Sequence, residues 1–289
     1  MPSSLPRPIT ELHVRRLTPG DLVACADLSE DRGWPRDEHR WGLLLAAGTG
    51  YGVDDPDGKG LMAGCVVTSY GTELAAIGMV LVAERYARQG IARQLMHHVI
   101  AESGNIPLSL YATAAGQPLY EQLGFSVVGH SQRVTGFFRP TDGRPPAVTV
   151  RPATAEDLRA MILLDADVFG ADRTHVLARL PAYADHIRVA EDGGRLIGYA
   201  AVWPSDGAHA IGPLVARDTA TAEALVASLA GATDLPLRTD IDARHTELLD
   251  WFEEHGLRPG STTAVMTHGA ADVPGDWTRR YAPLTVAMG

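Results

Sequence analysis

Arg85, Arg88 and Arg93 surround Gly90 in a loop that follows an almost wholly apolar run and opens a helical pattern reaching to Ile100. Backbone N–H groups in a glycine-containing turn, with the unpaired amides of a helix N-terminus, can cradle a phosphate. Gly90 and Ala92 let the backbone approach closely, and guanidinium groups pair well with phosphate oxygens. The same residues also suit a capped surface helix with solvated arginines, and on the loop alone both readings stand. Two other phosphate loops are unsupported: no Gly-Lys-Ser/Thr follows, and no Gly-x-Gly-x-x-Gly fingerprint is present.

The elements that position this loop come from a chain of 289 residues, 45% hydrophobic and 21% charged, a composition able to bury a core. Single cores rarely keep growing beyond ~250 residues, so two domains are expected. The net charge of −10 argues against a nucleic-acid partner, which needs a basic footprint to displace counterions. Met1 to Pro8 lack the apolar stretch of a secretory signal, and no run of ~18 apolar residues could span a bilayer, so a cytoplasmic protein without a membrane partner is expected. Cys25 and Cys65 have no Cys or His neighbours at zinc-site spacing, which predicts buried, reduced side chains and no metal site.

An internal repeat divides the chain. Val14-Arg15-Arg16-Leu17-Thr18-Pro19-Gly20-Asp21-Leu22 returns as Val150-Arg151-Pro152-Ala153-Thr154-Ala155-Glu156-Asp157-Leu158. Each copy reads as a short strand followed by Thr at a helix N-cap. Three collinear matches follow. Gly60-Leu61-Met62-Ala63-Gly64 pairs with Gly194-Arg195-Leu196-Ile197-Gly198, Ile77-Gly78-Met79 with Ile211-Gly212-Pro213, and Leu119-Tyr120-Glu121-Gln122-Leu123-Gly124-Phe125 with Trp251-Phe252-Glu253-Glu254-His255-Gly256-Leu257. The proline and glycine density from Arg139 to Pro146 predicts a linker at 141–147 between domains 1–140 and 148–289. In each half the order strand, one or two helices, three strands, helix, strand, helix, strand predicts a mixed α/β sheet, mostly antiparallel and flanked by helices.

Ala87-Arg88-Gln89-Gly90-Ile91-Ala92, after an apolar central strand, resembles the acetyl-CoA loop of the GNAT acetyltransferase superfamily, Arg/Gln-x-x-Gly-x-Gly/Ala. The first position departs from the pattern, since Ala87 stands where the family has Arg or Gln. Tyr120-Glu121-Gln122-Leu123-Gly124-Phe125 fits the family's second marker, Tyr-x-x-x-Gly-Phe, and the likeness covers about residues 12–138. An intact first domain with a diverged second one is similar to the two-domain bacterial members.

The resemblance implies an N-acetyltransferase that moves an acetyl group from acetyl-CoA directly to a primary amine of a small molecule or peptide. Met79, Val80 and Leu81 would pair with the pantetheine, and Ala87, Arg88, Gln89, Gly90, Ile91, Ala92 and Arg93 would hold the pyrophosphate. Tyr120 would protonate the departing thiolate; a phenol with pKa near 10 is a plausible donor at neutral pH. An alkylammonium must lose a proton before attack, and Glu73, just before the central strand, is the candidate base; a solvated strand-end carboxylate is the other reading. Asp31, Trp34, Glu38 and Trp41 fall in the segment that borders the acceptor cleft in this superfamily, where carboxylates and aromatic faces suit a cation. Tryptophans there equally suit a core. His97 and His98 are adjacent on a helix and face different ways, so a metal pair is not expected.

In the second half Arg217-Asp218-Thr219-Ala220-Thr221-Ala222-Glu223 replaces the glycine loop, Phe252 replaces Tyr120, and Pro213 removes a main-chain donor. Net charge is −8 in residues 141–289 and −2 in 1–140. A structural or substrate-shaping second domain is expected. A non-catalytic acyl-CoA sensor or assembly module, and transfer of a longer acyl group, are the alternatives.

Overall fold

The structure is a computed structural model that describes residues 12–140 and 148–289; the expected linker at 141–147 lies outside the described residues. Along the first repeat run β1 (Arg15–Arg16), α1 (Leu22–Asp31), α2 (Glu38–Ala47), β2 (Thr49–Asp54), β3 (Leu61–Tyr70), β4 (Leu74–Val82), α3 (Ile91–Ser103), β5 (Leu108–Ala112), α4 (Gln117–Gln122) and β6 (Ser126–Gly136). The second repeat gives β7 (Thr149–Pro152), α5 (Leu158–Phe169), α6 (Thr174–Leu177), α7 (Leu180–Tyr183), β8 (His186–Asp192), β9 (Arg195–Ser205), β10 (Ala208–Ala216), α8 (Thr219–Ala230), β11 (Leu237–Asp242), α9 (Thr246–Glu254), β12 (Arg258–His268) and β13 (Arg280–Ala282).

Both copies of the opening motif start their helix by the same device. Thr18 and Asp21 form a capping box ahead of α1, and Thr154 and Asp157 form one ahead of α5. A strand arginine clamps each acidic partner: Arg15 Nη2 lies 2.7 Å from Asp21, and Arg151 Nη1 lies 2.7 Å from Asp157. The Arg15 guanidinium lowers the Asp21 carboxyl to about 2, and Arg151 likewise lowers Asp157. The repeated Val-Arg…Thr…Asp pattern is therefore a strand-to-helix junction.

Compactness divides the described residues differently from the repeat. One unit holds residues 12–67 and 79–104; the other holds 68–78, 105–140 and 148–289. In the first unit β1 pairs antiparallel with β2 (Arg15↔Gly52), and β2 with β3 (Tyr51↔Cys65). Cys25 and Cys65 are buried and free, and burial pushes each thiol up to about 12.

In the second unit the strands lie in the order β4-β5-β12-β6-β11-β10-β9-β8-β7, with β13 added on β10. Each repeat contributes one parallel pair, β4 with β5 (Ala75↔Leu108) and β10 with β11 (His209↔Leu237). The two copies exchange strands. β12, from the second repeat, pairs with β5 (Ala264↔Ala112), while β6, from the first, pairs with both β12 and β11 (Thr239↔Val134). Side chains reinforce the exchange: Arg133 Nε donates to Asp240 Oδ1 at 2.9 Å, and Thr135 Oγ1 to the Leu237 carbonyl at 3.1 Å. Val134 of β6 belongs to the apolar cluster of the second repeat, with Leu225, Leu229, Phe252 and Leu257.

The segment after β13 is also anchored in this unit. A Cβ on Gly78 would lie 2.3 Å from the Ala287 carbonyl oxygen, and one on Gly212 would lie 2.3 Å from that of Pro283, so only glycine admits the chain at either place. The Tyr70 hydroxyl donates to the Met288 carbonyl, and Arg173 Nη1 donates to Gly289 O at 3.1 Å. Arg173 is itself fully buried against Asp165, with Nη2 to Oδ1 at 2.6 Å and Nε to Oδ2 at 2.9 Å. The Tyr199 hydroxyl donates to the same carboxylate.

A buried pair loses most when one partner alone is removed, because the other charge stays uncompensated. Asp165→Ala is expected to cost about 3–5 kcal/mol of stability in urea unfolding, and combining Asp165→Leu with Arg173→Met should recover part of that loss.

Candidate active site

The glycine loop is built within the first unit. β4 pairs with β5 only as far as Ile77↔Leu110. Two residues on, Met79 is buried at φ +54°, a left-handed conformation that a long side chain adopts only under constraint from its surroundings. Past Val82 the chain is tied down: the Ala83 N–H donates to the Met62 carbonyl at 2.9 Å, and the Glu84 N–H donates to the Asp31 carboxylate at 2.6 Å. Arg32 pairs with Glu84, and Arg85 with the wholly buried Asp55 carboxylate.

Then come Arg88 at φ +62° and Gly90 at φ +80°, the residue preceding the first turn of α3. Gly90 gives no side-chain cap to that turn, whose opening amides have no intrahelical acceptor. Two left-handed residues on either side of Gln89 lead directly into a 13-residue helix without a side-chain cap, so the positive end of the helix dipole follows the turn. Arg88 is exposed and has no ion-pair partner among the described residues. Arg85, one of the three arginines noted around the loop, is committed to Asp55 and holds the loop's entry. Sequence reasoning missed Asp55 because it lies thirty residues away with no local motif.

Tyr120 stands on α4 in the second unit, buried at 8% exposure with its ring 6.0 Å from that of Phe125. The Tyr-x-x-x-Gly-Phe spacing explains the contact, since Gly124 at φ +87° turns the chain and the Phe125 N–H returns to the Tyr120 carbonyl at 3.0 Å. Glu73 sits in the exposed turn before β4 and accepts from Thr72 Oγ1 at 3.0 Å. Five residues of the chain, Leu74 to Gly78, lie between it and Met79.

The four residues expected at the acceptor cleft have separate fates within the first unit. Asp31, which ends α1, lines a hollow of about 180 Å³ with Asp27, Leu28, Lys59, Leu61 and Arg85. Glu38 opens α2 and pairs with Arg36 at 3.0 Å, and Trp34 is 39% exposed in the connection between the helices. Trp41 is a correction: it is wholly buried, with Nε1 donating to Ser29 Oγ at 2.9 Å, and cannot meet a substrate. His97 is exposed, whereas His98 packs edge-on to Tyr51 with ring centroids 5.5 Å apart. No group of three metal-ligating side chains occurs among the described residues, and no helix there is long and apolar enough to cross a membrane.

The second repeat keeps the strand break without the loop. Register along β10 shifts between Ile211 and Leu214, around Pro213, in the place Met79 holds in β4. Asp218 caps α8, accepting from the Thr221 N–H at 2.9 Å, so a carboxylate already occupies the helix end that a phosphate would need. Beyond the break, β13 pairs with β10 (Leu214↔Ala282, Val215↔Arg280), and the slot beside β10 is filled by the chain itself. No motif in residues 280–282 announces that strand; its partner is distant in sequence.

Models of the acetyltransferase (GNAT) domain match residues 59–138 and 161–282. The chain belongs to the GNAT acetyltransferase superfamily and carries two GNAT-like domains. An uncharacterised N-acetyltransferase of Bacillus subtilis, YitH, is 27% identical over 261 residues, covering 89% of this chain and 91% of that protein. The fold is similar to that of a Pyrococcus horikoshii protein provisionally named an acetyltransferase, with TM-score 0.80, 19% identity and 97% of each chain covered. It is also similar to a tandem GNAT protein from the clavulanic acid biosynthesis pathway, with TM-score 0.63, 13% identity, and 91% of this chain and 100% of that one covered.

The left-handed loop makes its own thermodynamic signature. No atom lies within 4 Å of a Cβ built on Gly90, so Gly90→Ala pays only for positive φ, about 1 kcal/mol. Gly42 in α2 has equal space and helical geometry, so Gly42→Ala should instead stabilise by about 0.4–1 kcal/mol. Opposite signs in parallel denaturant titrations are the expected outcome.

Proposed function

We propose that the protein transfers an acetyl group from acetyl-CoA to a primary amine of a small molecule or peptide, using the first repeat alone. The observation that carries this reading is the run from Met79 to α3, in which a strained strand break, two left-handed loop residues and an uncapped helix end follow one another in the order an acyl-CoA requires. In the reaction, Arg88, Gln89, Gly90, Ile91, Ala92 and Arg93 bind the pyrophosphate, chiefly through main-chain amides. Ala87 is extended and precedes them, and its methyl offers no charge, which is consistent with main-chain recognition.

A main-chain amide of Met79–Leu81 faces the thioester oxygen, where negative charge develops as the neutral amine attacks. The new C–N bond forms, the C–S bond breaks, and the ammonium proton passes to water. Tyr120 gives its phenolic proton to the departing thiolate and recovers one from solvent. Asp31 supports an acceptor cleft lined by α1. Glu73 has no part in this scheme.

Tyr120→Phe keeps the ring packed against Phe125 and removes only the hydroxyl. Turnover of acetyl-CoA with an accepted amine should fall about 100-fold or more, while the affinity for CoA stays within a factor of about two. Unchanged turnover would remove Tyr120 from the mechanism.

Stoichiometry tests the division of labour. With β13 beside β10 and Asp218 on the helix end of the second repeat, calorimetric titration with acetyl-CoA should give one site per chain. Replacing Gly90 and Ala92 together by bulky residues should abolish it. Two sites would overturn the silent second repeat, and none would overturn the cofactor.

A further inference from the structure

We propose that the second repeat binds a small monocarboxylate with a short aliphatic body, in a hollow between α5, the start of β9 and the end of β10. The hollow has a volume of about 310 Å³, at the small end of ligand pockets. Leu164, Val168, Ile197 and Val215 give it an apolar wall, and Arg195, Arg217 and Arg279 line it as well. Three arginines meet here in the half of the chain whose net charge is −8.

The repeat shows what changed. Leu164 matches Leu28 of the first copy, which lines a hollow of about 180 Å³ in the first unit. There Leu61 and Ala83 stand where the second copy has Arg195 and Arg217, and Asp27 stands where it has Leu163. At these matching positions two apolar side chains have become arginines, whereas the cations of the first hollow, Lys59 and Arg85, have Gly193 and Thr219 in their places.

Two of the guanidinium groups are held in place and keep donors in reserve. Arg217 donates from Nη1 to Asp192 at 2.6 Å and from Nε to Asp218 at 3.0 Å, leaving Nη2. Arg279 donates from Nε to Asp276 at 2.6 Å and from Nη2 to Asp167 at 2.8 Å, leaving Nη1. Arg195 makes no ion pair among the described residues, so its guanidinium is the one left to meet a ligand, while Arg217 and Arg279 are each already matched by two carboxylates. Asp192 also lines the hollow and would repel a dianion, which favours a carboxylate over a phosphate. The ligand's carboxylate would accept from Arg195 while its alkyl body lies along Leu164 and Val168.

The test is calorimetric titration of the full chain with sodium hexanoate at low ionic strength, beside hexanol and hexylamine. One saturable hexanoate site is expected, with hexanol and hexylamine bound at least tenfold more weakly. Arg195→Gln, an exposed change at the start of β9, should weaken hexanoate at least tenfold. Leu164→Trp, which fills the hollow, should abolish binding while leaving the titration with acetyl-CoA unchanged. Absence of saturable binding, equal binding of hexanol, or an affinity unaltered in Arg195→Gln would overturn the proposal. Displacement of hexanoate by acetyl-CoA would overturn it too, by placing the ligand in the first repeat.

Discussion

Neither repeat completes its sheet with its own strands. β5 ends beside β12 of the second copy, and β11 ends beside β6 of the first, so the main-chain donors of these strands are satisfied only when both copies are present. This is strand exchange within one chain, the intramolecular form of a domain swap. It carries more than hydrogen bonds, because Val134 fills the apolar cluster of the second repeat and Arg133 reaches Asp240 across the ladder. The second repeat supplies the strand against which β5, and the turn into α4 with Tyr120, are set.

The same break is used in two ways. In β4 the chain turns left-handed at Met79 and pairing to β5 stops; in β10 the register slips around Pro213 and pairing to β11 covers His209 and Ala210 only. A broken strand exposes main-chain groups that some other chain or ligand must meet. Beside β10 the partner is β13, followed by a segment that passes Gly212 and then Gly78. The glycine at the break is retained in both repeats for one reason, close approach of another backbone.

Charge follows the same division. The conserved junctions, Arg15 with Asp21 and Arg151 with Asp157, serve local folding and are identical in the two copies. The helix that follows the break differs: α3 begins with Gly90 and no capping side chain, and α8 begins with Asp218 as its cap. A cap that stabilises α8 also removes it as an anion site, since the same amides cannot serve both. In α8 a side chain takes those amides, and in α3 none does.

The order of elements, the duplication, the glycine loop and the Tyr-x-x-x-Gly-Phe turn were legible in the residues, because each depends on neighbours within a few positions of the chain. Left-handed geometry at Gly90 and Gly124, caps at Thr18 and Thr154, and apolar strands all follow from local sterics and short-range hydrogen bonds. Which strand would lie beside which was not legible, since β6 and β12 each pair with strands far away in sequence and with each other. Trp41, for which a substrate contact and a core place both stood, lies in the core, and Arg85, one of three arginines around the loop, is tied to Asp55, because burial and ion pairing depend on Ser29 and Asp55 being brought close by folding. Residue types and spacing determined the chemistry available to this protein; tertiary structure decided which groups are left free to perform it, because a partner distant in sequence leaves no mark on the spacing around either residue.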